Sequence, residues 1–324
     1  MIQRREFIAG LGSAAAWPVV ARAQRPALPV IGVLAVGPNG PNRWGASFYQ
    51  GLKETGYVEG QNVAIEYRGG PPRLARLNEL AAELVRRQVA VILASNDGAA
   101  LATKRATSAI PIVFFNVGSD PVKLGLVASL NRPGGNVTGV GFGRTQTSAK
   151  RLDILCQLVP AARAVEYLSS GPSLSFEEEQ QELVAAARAL GRELIVIVCR
   201  SNNELGHSFA AMVERGAGAL TVGFLPGVPV DAVVSFAAQY KIPAMGYSRQ
   251  FALRGGLVSY NTDFADETRM AANWVGRILN GAMPADLPVR KSSKFELVIN
   301  LKTAKALGLN VLPSLLAIAD EVIE

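Results

Sequence analysis

The sequence predicts an α/β protein built as two successive doubly wound parallel-sheet lobes, and three observations carry that expectation. From Val30 onward, short apolar runs of strand length alternate with amphipathic segments of helical period, as in parallel strands covered by helices. After Val140 the same alternation starts again. The chain has 324 residues, 49% hydrophobic and 18% charged, enough for two domains with sizeable cores.

In the first half the expected strands are Val30–Ala35, Val63–Tyr67, Val89–Ala94, Ile110–Phe115 and Val137–Val140. Between the first two, Trp44, Phe48 and Leu52 recur every four positions, which predicts a helix over Arg43–Glu54 stopped by Gly56. Over Leu74–Gln88, the residues Leu74, Leu77, Leu80, Ala81, Leu84 and Val85 form one continuous apolar face. In the second half a helix over Ser148–Leu158 ends before Pro160. Strands follow near Ala164–Leu168, Leu194–Cys199, Ala219–Phe224 and Ile242–Tyr247, with a helix between each pair. Ser175 and Glu178 have the spacing of a capping box, so Glu177-Glu178-Glu179 reads as acids at a helix start rather than as a ligand set. A strand over Leu257–Tyr260, a helix over Phe264–Leu279, the turn Gly281-Ala282-Met283-Pro284 and a terminal strand with one or two helices complete the pattern.

Residues 1–23 read as a targeting segment. Arg4-Arg5 precede a weak apolar run, Ala9–Val20, broken by Pro18 and too short to span a bilayer, and Ala21-Arg22-Ala23 fits a small-x-small cleavage rule. The segment resembles a twin-arginine export signal cleaved after Ala23, which implies a periplasmic mature chain. Gly10-Leu11-Gly12-Ser13-Ala14-Ala15 formally matches a dinucleotide fingerprint, but it precedes the first strand, where such a loop cannot work.

Composition removes several kinds of chemistry. The formal charge is +7, and setting aside Arg4, Arg5 and Arg22 against Glu6 leaves +5 on 301 residues. That charge is scattered, with no basic stripe of the sort a phosphate backbone needs, so nucleic acid is not an expected partner. One histidine, His207, cannot build a multi-histidine metal site, and Cys156 and Cys199 lack metal or disulfide-framework spacing and read as buried apolar residues. Neither GxxxxGK[ST] nor GxSxG occurs, and Gly139-Val140-Gly141-Phe142-Gly143 lacks the third glycine spacing of a nucleotide loop. No metal and no cofactor are expected.

Polar and glycine-containing turns recur at the carboxyl ends of the strands, where helix starts present unpaired N–H groups to ligands. They supply Asn39 after the first strand, Ser95 and Asn96 after the third, Asn116 and Asp120 after the fourth, and Ser170 and Gly171 after the first strand of the second half. Phe224, Tyr247 and Tyr260 end later strands. Ser95, Asn96 and the N–H groups at Gly98 are expected to hold an anionic group. Two readings stay open here: polar turns are also what ordinary βα loops contain, and Phe224 and Tyr247 either face a cleft or close their own lobe's core.

Three stretches resemble one family: Gly56-Tyr57-Val58-Glu59-Gly60-Gln61-Asn62-Val63-Ala64-Ile65-Glu66-Tyr67; Asp120-Pro121-Val122 with Gly125-Leu126-Val127-Ala128-Ser129-Leu130-Asn131-Arg132-Pro133-Gly134-Gly135-Asn136-Val137-Thr138-Gly139; and Lys294-Phe295-Glu296-Leu297-Val298-Ile299-Asn300-Leu301-Lys302-Thr303-Ala304. The chain is similar to the solute-binding proteins of ABC importers, in the branch that includes tryptophan-binding relatives. The resemblance implies lobes joined by a three-crossing hinge, residues 24–142 plus 251–289 in one and 143–250 plus 290–324 in the other. It further implies a monomer without catalytic activity that closes on a small molecule and hands it to a permease. A ligand-sensing module for a membrane receptor and an exported two-domain enzyme are the rival readings. Where relatives carry an acid after the third strand of the second lobe, this chain has Phe224-Leu225, so an aromatic or branched carboxylate is the expected ligand and a free amino acid the second.

Replacing Arg4 and Arg5 together by Lys is expected to leave the protein in the cytoplasm, as read by cell fractionation. Normal recovery from the periplasm would reject the twin-arginine reading.

Overall fold

The computed structural model describes residues 28–36, 45–70, 73–173 and 175–324. Residues 1–23, expected to be a targeting segment, and Asn39 therefore lie outside the described residues.

The first lobe is a five-stranded parallel sheet. Its strands are β1 (Val30–Val36), β2 (Ala64–Gly70), β3 (Val91–Ser95), β4 (Ile112–Val117) and β5 (Val137–Phe142), in the order β2-β1-β3-β4-β5. Helices cover both faces, so β3 and β5 are buried along their whole length, which explains why they are mostly apolar. On one face, α2 (Leu74–Arg86) and α3 (Asp97–Ala106) bring Leu77, Leu80, Leu84 and Ala102 against Ile92, Ile112 and Phe114. On the other, α1 (Gly45–Lys53) and α9 (Phe264–Leu279) bring Phe48, Leu52, Ala271 and Val275 against Ile31, Leu93 and Phe115. The two helices touch closely at Gly51 and Gly276, where an added Cβ would stand 2.2 Å from the Arg269 carbonyl oxygen and 1.8 Å from Thr55 Oγ1.

The second lobe is a seven-stranded sheet in the order β12-β11-β10-β9-β8-β6-β7. It comprises β6 (Ala164–Ser169), β7 (Glu193–Val198), β8 (Ala219–Val222), β9 (Ala244–Gly246), β10 (Val258–Thr262), β11 (Phe295–Asn300) and β12 (Glu321–Ile323). All neighbours are parallel except β10 and β11. One face carries α4 (Ser148–Leu158), α5 (Phe176–Ala189), α10 (Leu301–Ala306) and α11 (Pro313–Ala317); the other carries α6 (Leu205–Glu214), α7 (Val230–Gln239) and α8 (Arg249–Leu253).

Four details depart from the sequence expectation. Val258–Thr262, expected with the first lobe, is hydrogen-bonded between β9 and β11 in the second sheet, and α8 packs beside it. α9 returns to the first lobe, where its apolar face packs on α1, and Leu287 and Val289 after it join the first-lobe cores. The terminal segment adds β12 beside β11, one strand more than expected. Ser175 does stand at the start of α5, but its side chain makes no capping bond, so the capping box does not form. His207 is exposed on α6, and Cys156 and Cys199 are buried and unpaired.

The chain passes between the sheets three times: after β5, after β10, and before β11. The passes are tied to one another. Gly141 N–H donates to the Arg290 carbonyl at 2.9 Å, Arg290 N–H to the Gly139 carbonyl at 3.1 Å, and Asp263 N–H to the Lys294 carbonyl at 3.0 Å. Gly141 takes φ +64°, and a Cβ there would meet the Glu267 carboxyl carbon at 2.5 Å. Glu267 in turn accepts from the Ser292 hydroxyl. Beside this junction, the guanidinium groups of Arg277 and Arg290 lie over the Trp274 ring, 4.8 and 5.2 Å from its centroid.

Glu166, on β6 between β7 and β8, is fully buried, and neither carboxyl oxygen has a hydrogen-bond partner among the described residues. Burial disfavours its charge and lifts its pKa from 4.5 to about 7, with the nearby Arg215 charge offsetting only part of that cost. A raised acid pKa means that the neutral form is favoured in the fold. The penalty is absent below the unfolded value and develops as pH rises from about 4.5 to about 7, reaching roughly 3 kcal/mol. Glu166→Gln is therefore expected to remove this loss, so that thermal unfolding of variant and parent diverges in the variant's favour between pH 4.5 and pH 8. Parallel pH profiles would contradict it.

Candidate ligand-binding cleft

A cavity of about 310 Å³ opens between the carboxyl ends of the two sheets. The first lobe contributes Val36 from the end of β1, Leu74 and Leu77 from the first turn of α2, and Asn96, Asp97, Gly98, Leu101 and Arg105 along α3. The second contributes Pro172, Ser173 and Ser175 from the loop after β6 and Phe224 from the loop after β8. In the first sheet β1 and β3 are neighbours whose chains leave in opposite directions, the place where an open parallel sheet leaves a crevice.

Asn96 is held by local chemistry. It takes φ +80°, a conformation that asparagine tolerates better than most residues, and its Oδ1 accepts the Ala99 N–H at 3.0 Å to cap α3. Gly98 lines the cavity from the first turn of α3, where the N–H groups of a helix have no acceptor within the helix. Asp97 is buried, and its two carboxylate oxygens accept from Gly118 N–H at 2.7 Å and Ser119 Oγ at 3.3 Å. It fastens the loop after β4 to the start of α3.

Of the ten residues singled out in the sequence, Asn96 and Phe224 line this cavity. Ser95 is buried at the end of β3, one residue short of it. Asn116 has φ +52°, so its side-chain type serves the backbone at the end of β4. Asp120 accepts from the Val122 and Lys123 N–H groups at 2.8 and 3.3 Å and shapes the following turn. Ser170 is half-buried beside Gly171, which takes φ +88° against Val198. Tyr247 lies behind Phe224, ring centroids 6.4 Å apart, and Tyr260 stacks on Phe295 at 5.9 Å against the core of its own lobe. The residues absent from the sequence-based site include Leu74, Leu77, Leu101 and Arg105, together with Val36, Ser173 and Ser175. Gly98, Leu101 and Arg105 recur at helical spacing from the recognised turn, a signal that would have extended the site along α3.

The second-lobe rim stands on a buried ionic network. Arg151 is 1% exposed; its guanidinium donates to Glu179, to Ser148 Oγ at 2.9 Å and to Thr147 Oγ1 at 3.0 Å. The Tyr167 hydroxyl donates to the other Glu179 oxygen at 2.8 Å, and burial together with that carboxylate raises the phenol's pKa. Tyr167 lies directly under Gly223, where a Cβ would come within 2.7 Å of the ring. Glu179 is thus an acid of α5 with a structural role, as expected, but its partner is Arg151 rather than the helix start.

Residues 41–323 match the model of the family described as ABC transporter substrate binding protein. The chain belongs to this family. Its two-lobe fold is shared by a conserved domain protein from Vibrio cholerae at TM-score 0.81 and 24% identity, over 91% of this chain and 99% of the other. The ABC domain from Streptococcus pneumonia solved with L-Trp superposes at TM-score 0.80 and 25% identity, over 91% and 100%. A tyrosine-binding protein of Clostridioides difficile is 25% identical over 272 residues, 82% of this chain and 76% of that one. As a substrate-binding protein of an ABC system, the chain binds a small molecule, and no described helix is long and apolar enough to cross a membrane.

Removing the guanidinium from this substrate-binding protein by Arg151→Met leaves Glu179 charged and buried without its partner. The expected cost is about 3–5 kcal/mol of unfolding free energy, read by urea denaturation; a change below about 1 kcal/mol would show that the pair is dispensable.

Proposed function

We propose that this protein, exported and freed of residues 1–23, captures an aromatic or branched carboxylate between its lobes and delivers it as a monomer to an ABC permease. The observation that carries this reading is the cavity's make-up: an apolar wall of Val36, Leu74, Leu77 and Leu101, the Phe224 ring opposite, and the start of α3 at one end. The ligand's carboxylate meets the Gly98 N–H and the Asn96 side chain, where the helix dipole favours an anion. Its body lies against Leu77, Leu101 and Phe224. Because these contacts come from both lobes, ligand stabilises the closed arrangement by the difference in its affinity for the two states.

The relatives named for tyrosine and solved with L-Trp support an aromatic body. A free α-amino acid is the second choice, because the one acid among the described lining residues, Asp97, already accepts from Gly118 and Ser119.

Calorimetry with 3-phenylpropionate and phenylalanine separates the two. The first is expected to bind more tightly, and Phe224→Ala to weaken it about tenfold, equivalent to about 1.4 kcal/mol. Tighter binding of phenylalanine, with Phe224→Ala silent toward both, would reject the proposal.

A further inference from the structure

The described lining of the cavity holds two charged side chains, Asp97 and Arg105. Asp97 has its acceptors engaged by the loop after β4. Lys104, next to Arg105 in sequence, is tied to the carbonyls of Gly125 and Leu126. Arg105 makes no ion pair and no hydrogen bond with a described residue. Its planar guanidinium fork matches a carboxylate with two parallel bonds. Arg105 is exposed, so the cavity opens at this end onto a solvated positive charge with no described protein partner.

Position decides what that charge can read. Gly98, Leu101 and Arg105 share one face of α3, and a rise of 1.5 Å per residue sets Arg105 about 10 Å along the helix from Gly98. The space between them is bordered by Leu77 and Leu101 on one lobe and Phe224 on the other. One carboxylate held at the start of α3 cannot also reach the guanidinium across an apolar body. A second anionic group at the far end can.

We propose that Arg105 is a specificity-determining residue that reads an anionic group at the outer end of the ligand, so that the preferred cargo is an elongated dianion with a rigid apolar body, such as an aromatic dicarboxylate. This rests on the carboxylate reading above and adds the second charge. Lobe closure strengthens the pair by withdrawing it from water.

Three probes of nearly one shape test it: cinnamate, 4-carboxycinnamate and its neutral isostere 4-carbamoylcinnamate, titrated by calorimetry into the mature protein and into Arg105→Gln and Arg105→Lys. The parent is expected to favour the diacid over the carbamoyl acid by about tenfold or more. Arg105→Gln should bring that ratio near one while leaving cinnamate affinity within about twofold, and Arg105→Lys, which keeps the charge without the fork, should retain part of it. A ratio near one in the parent, or a ratio that survives Arg105→Gln, overturns the proposal. Equal weakening of all three probes by Arg105→Gln also overturns it, assigning Arg105 to lobe closure, for instance against Glu177 or Glu178 at the start of α5. Failure of every probe to bind folded parent protein rejects the carboxylate reading itself, a result distinct from loss of the ratio alone.

Discussion

The second-lobe wall of the cleft depends on one buried ion pair. Arg151 and Glu179 come from different helices, and each is taken almost fully out of water. Desolvation on that scale is offset only when the remaining donors and acceptors are filled, and here Thr147, Ser148 and Tyr167 fill most of them. The geometry therefore locks together the segment entering from the first lobe, the start of α5 and the end of β6. Ser173 and Ser175 are presented to the cavity by a loop whose two ends are both fixed in this way.

A second constraint works at the junction of the lobes. Three backbone passes lie side by side, so the carboxylate of Glu267 must fit beneath the first of them, and only a residue without Cβ leaves room at Gly141. The glycine-rich run that resembles a nucleotide loop in sequence is accounted for by this packing. Gly143 at φ +81° then turns the chain toward α4.

The alternation of apolar runs was enough to locate both sheets, because strands buried on two faces and helices buried on one have different periods. Assigning each element to a lobe was harder. β10 and α9 are adjacent in sequence and carry the same kind of apolar pattern, so nothing local shows that one stays in the second sheet while the other crosses back; the decision lies in which surface each one fits. For the cleft, sequence picked out the turns and missed the helix face. Asn96 and Phe224 were legible because a polar turn and an unusual aromatic stand at strand ends. Asn116 and Asp120 have the same appearance but serve a left-handed backbone and a tight turn. Leu74 and Leu77 belong to a helix that reads as core throughout, and its first turn becomes cavity wall only because another lobe faces it.

The indole under Arg277 and Arg290 gives the molecule an optical property. Arg277 belongs to the same helix as Trp274, whereas Arg290 begins the third pass between lobes. One cation shares a helix with the ring, and the other stands on a separate backbone pass tied to β5. Any displacement of that pass changes the field across the indole and with it the emission wavelength and yield. Trp44 and Trp274 are the tryptophans beyond residue 23, so in a Trp44→Phe background a single native tryptophan reports any shift of that pass against α9 without an attached dye.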